Sequence, residues 1–219
     1  MPIWGEGCGG MKPIVFHVEA AGEFRPVELR FANESEVRRV RGWRKTTPAT
    51  DAGEFAALAA KRWFYYTREG ATVASIGELR TAIRRNERAE LAFLMVASAE
   101  WAARYKFLAL AYCRRTWCHH LVLDFLAVRP GLTFRNQPIS GIGSGVLARL
   151  MDLADSLDME TMWGEATASS APFYEKVLQI CPVQDLFIIH REAMRGVRKF
   201  YVADQKARLA RINAKRHSG

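Results

Sequence analysis

Residues 121–130 read Leu-Val-Leu-Asp-Phe-Leu-Ala-Val-Arg-Pro, and after ten intervening residues comes Gly141-Ile142-Gly143-Ser144-Gly145-Val146-Leu147. The first stretch is rich in Leu, Val and Phe and alternates poorly, as expected of a strand buried on both faces. The second opens on glycines and then places Val146, Leu147, Leu150, Met151, Ala154 and Leu157 on one face of a helix. Glycines let a ligand approach the backbone closely, and the first N–H groups of a helix have no internal acceptor. Together with the helix dipole they make an anion site. No Lys follows the glycines, which excludes a Walker loop. Val146 stands where a dinucleotide fingerprint needs its third glycine, and twelve residues separate Val128 from Gly141, so that pattern also fits poorly.

Working outward, Glu160–Ala166 reads as a strand. Ser169 or Ser170 caps a helix with Pro172 in its first turn, and Leu186–Ile189 is a last strand. Upstream, Leu91–Ser98 and Lys106–Arg114 are apolar runs of strand length. The stretch 99–113 also carries helical spacing at Trp101, Tyr105, Leu108 and Tyr112, and both readings stand. Ser75-Ile76-Gly77-Glu78 fits a capping box for a helix to about Arg88. Residues 54–68 predict a helix with Phe55, Leu58, Trp63 and Tyr66 available for burial. Asn33 opens another, acidic at first (Glu34, Glu36) and basic at its end (Arg44, Lys45). Val27–Phe31 is a short strand. Residues 1–26 read as a poorly structured segment, with Met11 an alternative start to Met1. The alternation of strands and helices predicts an α/β class, an α+β mixed sheet, over residues 27–190. Residues 191–219 predict a basic helical tail.

Composition narrows the function classes. The longest uncharged apolar run, Leu91 to Ala99, is about half of the ~20 residues a membrane span needs. The N-terminus shows no basic stretch followed by an apolar one, so no secretory signal is read there. Four cysteines in 219 residues make no disulfide framework, and a reducing cytoplasm is the expected location. Of the net charge of +9, the segment from Arg191 to Gly219 carries nine Lys or Arg against two acids. The body is therefore close to neutral. Such a tail predicts docking on a polyanion (nucleic acid, a cofactor's phosphates or an acidic partner), or else a solvated helix face. Cys113, Cys118, His119 and His120 are metal-ligand types, but their spacing matches no zinc pattern and no metal is expected.

Leu126-Ala127-Val128-Arg129-Pro130, the Gly-Ile-Gly-Ser helix start and Ala171-Pro172-Phe173-Tyr174-Glu175-Lys176 follow one another in the order of a known pattern. Through them the chain resembles the GNAT superfamily of N-acetyltransferases from about Leu91 to Ile189, and more weakly from Val27. The resemblance implies a GNAT-like acyl-CoA N-acyltransferase fold whose fourth and fifth strands splay apart, with acetyl-CoA as co-substrate in the gap. Pro138 stands where the family usually has Arg or Gln, with Gln137 and Arg135 nearby.

The resemblance also implies site residues. Leu126, Ala127 and Val128 would pair with the pantetheine arm, and Gly141, Ile142, Gly143, Ser144 and Gly145 would hold the pyrophosphate on backbone N–H groups. Tyr174 would be the general acid toward the leaving thiolate, in a direct attack by an amine of unidentified kind. A lysine-type amine has a pKa of about 10.4 and needs a base. Asp124 and Glu165, on strands flanking the cleft, are the candidates. The long segment between 33 and 90 would border the acceptor side, with Trp43, Trp63, Phe64, Tyr65 and Tyr66 as an aromatic wall or as core. The rival reading is a non-catalytic binding or scaffold protein that keeps the fold and docks through its basic tail. A homodimer is a further expectation.

Overall fold

The computed structural model describes residues 14–45 and 50–217. Met1, Cys8 and Met11 lie outside them. The chain begins with a hairpin, β1 (Ile14–Ala20) and β2 (Glu23–Phe31), turned at Ala21 and Gly22, both at positive φ. This corrects the reading of residues 1–26 as unstructured, as far as 14–26 are concerned. β1 alternates buried and exposed residues, Phe16, Val18 and Ala20 facing inward. The glycines nearby mask that period-2 signal in the sequence.

Helix α1 (Glu34–Arg41) follows, then a 3₁₀ turn (Gly42–Lys45), α2 (Asp51–Arg68) and α3 (Ile76–Arg85). β3 (Leu91–Ser98), β4 (Ala109–Arg115) and β5 (Leu121–Val128) form an antiparallel meander. The choice left open over 99–113 resolves as a short 3₁₀ turn (Glu100–Ala102) and then strand. A two-residue turn at Arg135 and Asn136, both at positive φ, joins β6 (Thr133–Phe134) to β7 (Gln137–Pro138). Then come α4 (Ile142–Ser156), β8 (Thr161–Glu165), α5 (Ala171–Leu178), β9 (Leu186–His190) and α6 (Arg191–His217). The main sheet runs β1-β2-β3-β4-β5-β8-β9, antiparallel except for the parallel pair β5–β8.

Both faces of the sheet are covered. Phe93, Met95, Ala97, Ala111 and Leu123 join the core beneath α4, while Leu94, Val96, Leu110 and Tyr112 join the one beneath α1 and α2. This explains the unbroken apolar runs of β3 and β4. The poor alternation of β5 has a second cause. Tyr112 pairs with Phe125 and Cys113 with Leu123, so Asp124 is an extra, bulged residue. The bulge switches the strand's phase: Leu121 and Leu123 face one core, Phe125 and Ala127 the other.

Helix starts follow the expected chemistry with two corrections. Asn33 makes the full capping box, its Oδ1 accepting from the Glu36 amide (3.2 Å) while Glu36 Oε2 accepts from the Asn33 amide (3.1 Å). At Ser75 only half of the box forms, since the Glu78 carboxylate accepts from the Ala74 amide instead. Ser170 sits at the cap position of α5 but gives it no side-chain hydrogen bond; its Oγ accepts from the Thr167 amide at 2.9 Å.

Asn33→Ala is expected to cost about 1 kcal/mol at pH 7, read from the urea midpoint. Burial pushes the Glu36 carboxyl up. Hydrogen bonds from Arg30 and the Asn33 amide, with the charges of Arg30 and Lys106, outweigh it and hold the group below its ordinary value. A carboxyl held low in the folded state contributes stability above its unfolded pKa and loses it as pH falls through the folded one. The wild-type midpoint should therefore drop more steeply than that of Glu36→Gln between about pH 5 and pH 3. Equal slopes would show that Glu36 anchors nothing.

Candidate active site

β5 and β8 pair only over Leu121–Leu123 with Met162–Gly164. Beyond those residues the strands part, and two cavities fill the gap. One, of about 530 Å³, is walled by Phe55 of α2, Asp124, Glu165, Thr167 and Asp185. The other, of about 400 Å³, reaches Val128 and the turn Gly141–Gly143. Leu126, Ser170 and Tyr174 line both, so they are two halves of one cleft.

The turn at the inner end is fixed from β1. Glu19 and Ser140 exchange backbone hydrogen bonds of 3.1 and 2.9 Å. Gly141 then caps α4 at φ +91°, a conformation that favours glycine. A Cβ on Gly143 would lie 3.1 Å from the Phe173 ring and 3.7 Å from Val128, so this glycine lets α5 and the end of β5 pack closely against the turn. Gly145 differs. Its N–H donates to the Gly141 carbonyl (3.0 Å), and a Cβ there would lie 2.2 Å from the Phe16 ring. Gly145 is a packing glycine with a satisfied amide, which removes it from the expected phosphate set. The N–H groups of Ile142, Gly143 and Ser144, in the first turn, have no intrahelical acceptor.

On β5, the Arg129 amide donates to the Leu108 carbonyl at 2.8 Å. Hydrogen bonding alternates between the two sides of a strand, so Ala127 bonds toward β4 while Leu126 and Val128 present their backbone groups to the gap. Ala127 therefore does not face the cleft as expected.

Tyr174 is 5% exposed, and its ring packs on Phe187 (4.5 Å) and Phe173 (5.1 Å). Burial, with a contribution from the nearby Cys113 thiol, pushes its phenol well up. Burial likewise pushes Cys113 up, leaving it an inert core thiol.

The two carboxylates proposed as bases differ. Asp124 Oδ2 accepts from Arg114 Nε (2.7 Å), and its Oδ1 accepts from Arg114 Nη2 (2.9 Å) and Arg62 Nη1 (2.8 Å). Arg114 also donates to Glu90 (2.9 Å), which accepts from the Tyr66 hydroxyl. The hydrogen bond to Asp124 holds the Arg114 guanidinium charged. With both oxygens engaged by Arg114 and Arg62, Asp124 is held at the bulge by its ion pairs. Glu165 is exposed at the end of β8 on the cavity wall.

Of the expected aromatic wall, Trp43 and Trp63 are core and Tyr65 is exposed. Phe55 is the aromatic of α2 that lines the cleft. Sequence reasoning missed Asp185 and Phe173 there, because neither stands in a periodic pattern. His119, at positive φ in the β4–β5 turn, brings Nδ1 to 2.9 Å from Arg115 and Nε2 to 3.0 Å from the Leu157 carbonyl. Among the described residues no group of three or more His, Cys, Asp or Glu is placed to hold a metal, and no helix is long and apolar enough to cross a membrane.

No protein-family model matches the chain, and no curated protein matches it. Solved structures do. An uncharacterized protein from Bacillus halodurans covers 89% of this chain and 99% of its own at 10% identity, with a TM-score of 0.51. A GNAT-family acetyltransferase from Staphylococcus aureus covers 75% and 99% at 11% identity (TM-score 0.46). Mutant forms of a spermidine/spermine N-acetyltransferase from Vibrio cholerae cover 78% and 98% at 10% identity (TM-score 0.45). At these identities the likeness is one of fold. The mixed sheet read from the sequence is present, and solved GNAT acetyltransferases are among the structures similar to it. Counted from Val27 within the main sheet, the strands that part are the fourth and fifth, as the resemblance implied.

Proposed function

We propose that the chain is an N-acetyltransferase that uses acetyl-CoA and an amine. One observation carries this reading: a single cleft joins unpaired amides at a helix start, two parted strands and a buried tyrosine. Gly141, Ile142 and Gly143 line the cleft, where a diphosphate could meet the first amides of the helix. Acetyl-CoA, when bound, supplies a thioester carbonyl as acyl donor.

The residues would divide the work along the cleft. Amides of Ile142, Gly143 and Ser144 hold the pyrophosphate, and backbone groups of Leu126 and Val128 hold the pantetheine arm like an added strand. Tyr174, kept protonated by burial, carries the proton that the departing thiolate needs. At the wider end, Glu165 and Asp185 attract a cationic amine, and Glu165 takes its proton. Asp124 is a positioning residue. The scaffold reading is not favoured, because α6 folds back along α4: Arg198 reaches Asp152 (2.6 Å) and Asp155 (2.8 Å).

The test is a melting curve with acetyl-CoA, followed by thiol release with a panel of amines. At ligand near 100 times Kd, linkage predicts about 2.7 kcal/mol of added stability. No shift at millimolar acetyl-CoA would overturn the reading.

A further inference from the structure

Next to the cleft, and sharing Gly141, Gly143 and Phe173 with its inner half, lies a third cavity of about 290 Å³ between the Gly141 turn, α5 and α6. Its walls are mixed. Phe173 and Phe200 give it apolar surface, while Lys176, Arg208 and Asp204 bring charge. Three features point to a phosphorylated ligand. First, Arg208 is placed over the turn: its Nη1 lies 3.3 Å from Ser140 Oγ and 3.7 Å from where a Cβ on Gly141 would be. Asp204 accepts from Arg208 Nε at 2.6 Å, which orients the guanidinium and leaves its other edge toward the turn. Second, Lys176 adds a second cation, so the acid in the wall is outnumbered. Third, Tyr201 is 6% exposed, lines this cavity, and has a buried hydroxyl with no hydrogen-bond partner among the described residues. A buried hydroxyl left unpaired is costly, and an incoming acceptor oxygen would satisfy it.

We propose that α6 is part of the acyl-donor site: Arg208 clamps the diphosphate held on the α4 amides, with the Tyr201 hydroxyl as a further donor. The proposal rests on the acetyl-CoA reading above. It gives the basic C-terminal helix a role within its own domain. Arg198, through Asp152 and Asp155, anchors the helix two to three turns earlier, so Arg208 can be changed without freeing α6.

The test titrates coenzyme A into the full chain by calorimetry, with wild type, Arg208→Gln, Arg208→Lys, Tyr201→Phe and Arg195→Gln. Arg195 is an exposed cation on the same helix, so it controls for net charge. Arg208→Gln should weaken binding about tenfold or more, Arg208→Lys less, and Tyr201→Phe about threefold. Arg195→Gln should leave affinity unchanged, and melting temperatures without ligand should stay close to wild type. Raising salt should weaken wild type more than Arg208→Gln. Wild-type binding with Arg208→Gln within twofold, or equal losses for Arg208→Gln and Arg195→Gln, would overturn the clamp and leave the acetyl-CoA reading standing. A wild-type chain that binds no coenzyme A at millimolar concentration would overturn both.

Discussion

Gly145→Val is expected to leave little folded protein, while Gly143→Ala folds and loses affinity for coenzyme A. The two positions are neighbours in one glycine-rich turn, and their surroundings are opposite. A Cβ on Gly145 would lie 2.2 Å from Phe16, whose ring is 2% exposed between β1 and α4. Ordinary contact needs over an ångström more, so β1 must move away from α4, against its pairing with β2 and its bond to Ser140. Overpacking costs about 1–3 kcal/mol and at times more. Gly145→Ala should lie in that range after recovering about 1 kcal/mol of helix propensity, and valine should exceed it. A domain holding about 5–15 kcal/mol in all cannot absorb much of this. At Gly143 the nearest atoms belong to the half-buried Phe173 ring at 3.1 Å, which can give way. Its alanine variant should stay within about 1 kcal/mol of wild type, but its methyl group displaces the Phe173 ring that lines the cleft beside the free amides. Denaturant midpoints measure the first claim and calorimetry the second. Phe16→Leu should restore part of the stability lost in Gly145→Ala, since the two share one contact. If Gly145→Ala is as stable as wild type, the packing assignment fails.

This pair shows how far the sequence could be read. The glycine run before an apolar helix was legible because both signals are local: glycine frees the backbone, and a 3.6-residue period marks the helix. Which glycine faces a ligand was not, because the answer depends on Phe16, a residue about 130 positions away on an unrecognised strand. The bulge at Asp124 was invisible for a similar reason. It is a mismatch between two strands, and one strand's pattern shows only that alternation is lost. Asp124 and Glu165 looked equivalent as acids on flanking strands, and only the approach of Arg62 and Arg114 separates them. The tail misled most. A run of arginines reads as solvated charge, yet Arg198 and Arg208 find acids on α4 and on α6 itself, and Met194, Val197, Tyr201 and Ile212 are buried.

Tyr174→Phe should lower kcat by about 100-fold, or about 2.7 kcal/mol in barrier, the low end of what general acid catalysis supplies. KM for acetyl-CoA should scarcely change, because the ring and its contacts to Phe173 and Phe187 remain. Stability should hold as well, since burial gives the hydroxyl no advantage in the folded state. The pH dependence separates a proton donor from a packing group. Burial, then the Cys113 thiol, raises the phenol above its ordinary value, so the donor form persists through neutral and mildly alkaline pH. The alkaline limb of the wild-type profile should therefore not fall below about pH 10 on account of Tyr174. The acid limb should follow the acceptor amine, which must lose its proton before it attacks. The penalty in Tyr174→Phe should also shrink for acyl donors whose thiol is more acidic, because such a leaving group needs less help from an acid. A variant that turns over within twofold of wild type, with the same dependence on the leaving thiol, would reduce Tyr174 to a wall of the cleft.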